Sequence, residues 1–207
     1  MRITGGIHRG RILKVPEGIE IRHTQDRVRE ALFNILMHDI AGARFLDLFA
    51  GSGAVGLEAL SRGASSATLV EQNARHVAFI RSNAAMLKAA PEIVSSDAYL
   101  YLSAFSGMPF DIAYADPPYA LGEERGFSEM LKTLADRNVV RPGGLFIAEM
   151  ASRQTVDDVP DWDLCRDREY GKTRLLIWKR HTLSENSSHC SNGTQCDHIS
   201  PELPVQE

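Results

Sequence analysis

The chain has 207 residues, 43% of them hydrophobic and 24% charged, which is enough to bury the core of one compact domain. Its formal charge of -4 comes from one end, because residues 181–207 carry Glu185, Asp197, Glu202 and Glu207 with no Lys or Arg and the remainder balances to neutral. No stretch approaches the roughly 18 apolar residues of a membrane span, no apolar signal core follows Arg2, and Cys165, Cys190 and Cys196 make an odd count. We therefore expect a cytoplasmic monomer with no membrane association and no disulfide framework.

Residues 1–22 predict a basic hairpin: strands Met1–Thr4 and Arg11–Val15 flank the turn Gly5-Gly6-Ile7-His8-Arg9-Gly10. Within residues 1–29, Arg2, Arg9, Arg11, Lys14, Arg22, Arg27 and Arg29 face only Glu17, Glu20 and Asp26. Polyanion binding would begin here, with Arg2, His8, Arg9, Arg11 and Arg27 as the candidate nucleic-acid contacts, although the same cluster also fits a plain solvated face. Thr24 is placed to cap a helix whose apolar positions Val28, Ala31, Leu32, Ile35 and Leu36 form one stripe, leaving Arg27, Arg29 and Asn34 on other faces.

From Arg44 the pattern becomes strand, glycine turn, helix, repeated, as in a parallel sheet wrapped by helices. Strands are expected at Phe45–Phe49, Ala67–Glu71, Ile93–Ser95, Ile112–Ala115, Leu145–Glu149 and Leu175–Lys179, with helices at Val55–Ser61, Arg75–Leu87 and Phe127–Asp136. Leu164–Tyr170 is a weaker candidate that would close an antiparallel pair with the last strand. One α/β domain over 23–180 results. Residues 181–207, rich in Ser, Asn and Pro with few large apolar side chains, are expected to form a disordered tail. His189, Cys190, Cys196 and His198 in that tail lack the spacing of zinc ligands, so no metal site is expected.

The loop Asp47-Leu48-Phe49-Ala50-Gly51-Ser52-Gly53 joins a strand end to a helix start, and Gly56 completes a G-x-G-x-x-G pattern. Glu71 closes the next strand, where a carboxylate can accept both hydroxyls of a ribose. This much fits NAD equally well. Asp47 tips the reading toward S-adenosylmethionine, which has no pyrophosphate to place on the helix N-terminus but has an ammonium that needs an acceptor. Asp97 either accepts from an adenine amino group or caps a helix beginning at Ala98. The candidate cofactor residues are Asp47, Phe49, Gly51, Gly53, Glu71 and Asp97.

Asp116-Pro117-Pro118-Tyr119 follows the apolar strand Ile112–Ala115 and is the most specific signal in the chain. The Asp116 carboxylate and the Pro117 carbonyl put two acceptors in one place, as a planar NH2 group requires. Accepting both hydrogens favours the pyramidal, nucleophilic amine and holds it in line with a methyl donor. Tyr119 offers a face for a base lifted from its stack. Asp116, Pro117 and Tyr119 are the candidate catalytic residues.

These residues resemble the RsmD-type methyltransferases that act on guanine N2 of 16S ribosomal RNA. The resemblance covers about residues 1–180. It rests on Met1-Arg2-Ile3-Thr4-Gly5-Gly6 with Arg9-Gly10-Arg11, on Thr24 to Asn34, on the Asp47 loop, on the Asp116 tetrapeptide and on Tyr170-Gly171-Lys172-Thr173. It implies a Rossmann-like class I methyltransferase: a seven-stranded mixed sheet, its last strand antiparallel, with helices on both faces and an RNA-facing hairpin in front. It also implies S-adenosylmethionine as cofactor and an assembled or partly assembled small ribosomal subunit as substrate. His23 departs from the family's usual proline, and the tail has no family counterpart. A DNA or RNA adenine-N6 methyltransferase would use the same tetrapeptide but usually adds a recognition segment for which there is no room here. A protein glutamine methyltransferase resembles this pattern with Asn in place of Asp116. An NAD-dependent oxidoreductase or a non-catalytic RNA-binding module would leave the tetrapeptide unused.

Overall fold

The computed structural model describes residues 1–15, 23–117, 119–151 and 158–182. The expected tail from 183 onward, Pro118 and the candidate zinc residues of the tail lie outside that set. The helices are α1 (His23–Ile35), α2 (Ala54–Ser61), α3 (Ala74–Leu87), α4 (Ala98–Ala104) and α5 (Tyr119–Asp136). The strands are β1 (Arg44–Asp47), β2 (Ser66–Val70), β3 (Glu92–Val94), β4 (Phe110–Ala115), β5 (Val140–Ala151), β6 (Trp162–Tyr170) and β7 (Thr173–Arg180).

The strands form one seven-stranded sheet in the order β3-β2-β1-β4-β5-β7-β6, with β7 antiparallel to both of its neighbours. The expected Rossmann-like class I architecture is therefore present. Central strands buried on both faces must be apolar on both faces, and β1 and β4 read that way. Alternation sends Phe45, Ile112, Tyr114 and Ile147 to the core beneath α1, α2 and α3. It sends Leu46, Ala113, Phe146 and Ala148 to the core beneath α5. The chain winds outward in one direction through β1, β2 and β3 and in the other through β4 and β5. Sheets of this order bind ligands in the crevice where the two directions part, which here falls at the C-terminal ends of β1 and β4.

The structure corrects several local expectations. The N-terminal hairpin is present but carries a single antiparallel bridge, Arg2 to Ile12, instead of two extended strands. Gly6 explains why: its φ is +77°, and a Cβ there would meet the Ser61 carbonyl oxygen at 1.8 Å. The turn is pressed onto α2, with the Ile7 N–H donating to the Ser61 carbonyl at 2.8 Å and the Ser61 hydroxyl donating to the Gly5 carbonyl at 2.7 Å. Helix α1 spans His23–Ile35 and so includes Thr24, whose side chain lies outside the described residues. Arg29 does not lie on a solvent face. It is 3% exposed, donating from Nε to Glu58 at 2.8 Å and from Nη2 to both Asp26 at 2.8 Å and the Arg2 carbonyl at 2.5 Å. Glu58, wholly buried, also accepts from the Thr4 N–H and hydroxyl and from Arg62. This buried network ties the hairpin, α1 and α2 into one body.

Candidate active site at the edge of the sheet

Asp47 ends β1 and turns into the glycine loop, which is pinned on both sides: the Leu48 N–H donates to the Tyr114 carbonyl at 2.9 Å and the Ala50 N–H to the Val70 carbonyl at 3.0 Å. One oxygen of Asp47 accepts from the Gly56 N–H at 3.1 Å, while Oδ1 is buried and has no hydrogen-bond partner among the described residues. The Gly56 and Phe49 backbone N–H groups temper the charge. Burial, followed at some distance by Glu71 and Glu149, pushes this carboxyl up to about 7. A buried acid with an unpartnered oxygen is a place built for a donor that the protein itself does not supply.

The rest of the loop is shaped for close approach. Gly51 has φ +55° and open space where its Cβ would stand, so the backbone presents a bare face there. Gly56 serves packing instead, since a Cβ would come 2.7 Å from Leu69 Cδ1. Glu71 accepts from the Gly51 N–H at 2.8 Å and the Asn73 N–H at 2.7 Å, which orients its carboxylate and leaves lone pairs on both oxygens. Asp97 caps α4, Oδ1 accepting from the Tyr99 and Leu100 N–H groups at 2.9 and 3.0 Å. The cap half of its two readings is thus present, and the other oxygen stays available to a ligand. Phe49 is half-buried at the loop surface.

Asp116 stands one residue beyond β4, exposed, and Pro117 behind it is buried. The Asp116 carboxyl is held well above the ordinary carboxylate range by the protein wall around it first, then by Glu149 and Asp47. Solvent at the exposed residue tempers that rise. Tyr119 opens α5, eight residues ahead of the expected start at Phe127, and its side chain lies outside the described residues.

Glu149 was not among the candidates, yet it belongs to the site. It lies near the end of β5 and accepts from the buried Tyr114 hydroxyl at 2.6 Å. Burial raises its proton affinity, while the Tyr114 hydroxyl and the Arg29 charge oppose the rise. A lone acid closing the apolar run Leu145-Phe146-Ile147-Ala148 was the available signal. Among the described residues no three acidic, His or Cys side chains are arranged to hold a metal ion. A cleft lined by Asp39, Asp111, Arg141 and Leu145 lies where β4 and β5 begin, at the opposite edge from Asp47 and Asp116, and plays no part here.

The hairpin is joined to this site through its two ends. Asn83 accepts from the Lys14 N–H at 2.8 Å and donates to the Lys14 and Ser52 carbonyls at 2.9 and 3.0 Å, and the Ser52 hydroxyl approaches Met1 Sδ at 3.6 Å. The turn of the hairpin, by contrast, sits at the far end of α2, about 12 Å along an eight-residue helix. Arg2, Arg9, Arg11 and Arg27 are exposed and His8 is half-buried. The basic residues thus do not cluster at the crevice; Arg9 lies at the end of the hairpin remote from it.

The family model described as Conserved hypothetical protein 95 matches residues 1–179. The ribosomal RNA small subunit methyltransferase D of Escherichia coli K12 is 38% identical over 190 residues, covering 91% of this chain and 94% of that one. The solved structure of the Escherichia coli protein yhhF superposes with a TM-score of 0.78 at 38% identity, covering 88% of this chain and 99% of that chain. A more distant structure, SMU.776 in complex with SAH, shares the fold at 18% identity with a TM-score of 0.63, covering 77% of this chain and 50% of that one.

Proposed function

The chain belongs to the Conserved hypothetical protein 95 family, and from that premise we propose that it is an S-adenosylmethionine-dependent methyltransferase of small-subunit ribosomal RNA that modifies the exocyclic N2 of a guanine. The unpartnered, buried Oδ1 of Asp47 carries the cofactor half of this reading. It fits the ammonium of a methionine moiety and is the wrong charge for a dinucleotide pyrophosphate. S-adenosylmethionine supplies, when bound, a methyl group on a positively charged sulfur. Glu71, held by two backbone donors, offers remaining lone pairs to the ribose hydroxyls, and the free oxygen of Asp97 offers one to the adenine amine. Phe49, Gly51 and Gly53 shape the loop beneath them.

The target nitrogen is handled by this chain's own groups. The Asp116 carboxylate and the Pro117 carbonyl accept its two hydrogens, which localises the nitrogen lone pair and aims it. The raised proton affinity of Asp116 suits it to take the proton that nitrogen loses once the new N–C bond forms. Tyr119 stacks on the lifted base. Glu149 raises the proton affinity of both Asp47 and Asp116, and Asp47 adds to that of Asp116, so a cationic ligand head beside them relieves this repulsion. Arg2, His8, Arg9, Arg11 and Arg27 engage RNA phosphates along the hairpin and α1, away from the base itself.

The test incubates the protein and labelled S-adenosylmethionine with unmodified small subunits, naked 16S RNA and duplex DNA, then identifies the methylated nucleoside. N2-methylguanosine from the subunit or its RNA is the expected product. N6-methyladenine from DNA would overturn the substrate.

A further inference from the structure

Two neighbouring strands place a second acid beside the catalytic one. Ala115 of β4 is in register with Ala148 of β5, so Asp116 and Glu149 are the next residues on adjacent parallel strands. Alternation sets Glu149 on the face of Ile147, as it sets Asp116 on the face of Tyr114, and the Tyr114 hydroxyl spans the two strands to hold Glu149 at 2.6 Å. Only one Glu149 oxygen is engaged by Tyr114; the other makes no hydrogen bond among the described residues. The catalytic tetrapeptide accounts for the exocyclic amine alone and leaves unexplained what distinguishes one amino-bearing base from another.

We propose that Glu149 is the specificity-determining residue of this site, accepting the N1–H of the target guanine while Asp116 and Pro117 hold the adjacent N2 amine, with Tyr114 as the residue that positions it. The inference rests on the guanine-N2 reading above. The chemistry of the base edge motivates it. Guanine presents N1–H and N2–H donors side by side, whereas adenine presents an N1 lone pair beside its amine. A carboxylate only accepts, so a Glu149 fixed next to Asp116 pairs with guanine and sets two lone pairs against each other with adenine. Burial raises the proton affinity of Glu149, and the Tyr114 hydroxyl and Arg29, from the α1 side, act against it in favour of the charged form that this role needs.

The test compares guanine with 2-aminopurine at the target position of a ligated, unmodified small-subunit RNA. 2-Aminopurine keeps the N2 amine but has a lone pair at N1. Wild-type protein should prefer guanine in kcat/KM by at least about 100-fold, because a site built around a donor leaves its acceptor unpaired when the donor is missing. Glu149→Gln, whose amide can donate to N1, should narrow the preference to within about tenfold. Tyr114→Phe should lower kcat/KM and reduce the preference while leaving Asp116 in place. An undiminished preference in either variant overturns the assignment and makes the pair structural; if Glu149→Gln loses all transfer, the ratio for Tyr114→Phe decides. Failure of the N2 reading itself is seen separately, as a different methylated nucleoside from wild-type protein and guanine-bearing RNA.

Discussion

Replacing Asp47 by Asn should make the ligand-free protein more stable above neutral pH while removing most of its affinity for S-adenosylmethionine. Asp47 is 1% exposed, and its proton affinity rises from 3.8 to about 7 because burial disfavours the charge. A carboxyl whose folded value is raised contributes its full stability below the unfolded value, and that contribution is lost as pH climbs through about 7. At about 1.4 kcal/mol per pH unit, the complete loss is about 4 kcal/mol. Asn keeps an acceptor for the Gly56 N–H but places an unpaired NH2 where Oδ1 stands, costing about 1–3 kcal/mol. The net expectation is a gain of about 1–3 kcal/mol for the variant above about pH 8, turning to a deficit of similar size below about pH 4. Urea denaturation of both proteins at about pH 5 and about pH 8.5, with and without cofactor, measures it. The cofactor should stabilise wild type strongly and the variant little, and its affinity for wild type should fall as pH drops below about 7. A wild-type to variant difference that is the same at both pH values would show that Asp47 titrates normally and that its burial is not held in reserve for a cation.

Asp116→Ala should abolish transfer while isothermal titration still detects the cofactor, whereas Glu71→Ala should weaken the cofactor itself; equal loss of cofactor affinity in both would undo that division of roles. Removing Arg9 and Arg11 together should flatten the salt dependence of RNA binding by about 1.4 in the log–log slope, at about 0.7 per single-strand phosphate contact. An unchanged slope removes the hairpin from the interface. Arg29→Ala strands Glu58 in the core with Arg62 as its remaining charged partner, and should cost about 3–5 kcal/mol by denaturant titration. A loss under about 1 kcal/mol would mean that the network relaxes around the gap. Gly56→Ala should cost about 1–3 kcal/mol through the clash with Leu69, with a smaller effect on turnover once folded.

Most of the sheet was legible because each central strand is an apolar run bounded by glycine turns. Every strand expected from Phe45 to Lys179 is present, β5 reaching back to Val140 and β6 starting at Trp162. Helix α5 starts at Tyr119, eight residues before its apolar stripe, because Tyr119 to Gly126 lacks the periodic signal that marks a buried face. The hairpin was harder. Two strands look alike whether they pair along their length or at one bridge, and it is the docking of Gly5, Gly6 and Ile7 onto Ser61 that decides the matter. The burial of Arg29 could not be read for a related reason, since a helical wheel knows the partners on its own helix and not the buried Glu58 of another.

The sequence alone determined the parts whose pattern is local: the Asp47 loop, the acid Glu71 just past the next strand, the Asp116 tetrapeptide and their family resemblance. Spacing along one strand-turn-helix unit suffices for these, because a tight turn needs glycine and an amine needs two acceptors wherever the unit stands. Tertiary structure decided what depends on strands meeting. It set Glu149 beside Asp116 through the register of β4 and β5, left Oδ1 of Asp47 buried and unpartnered, and put the Arg9 end of the hairpin far from the crevice. Proximity between residues 33 positions apart in the chain is a property of packing, and no local pattern encodes it.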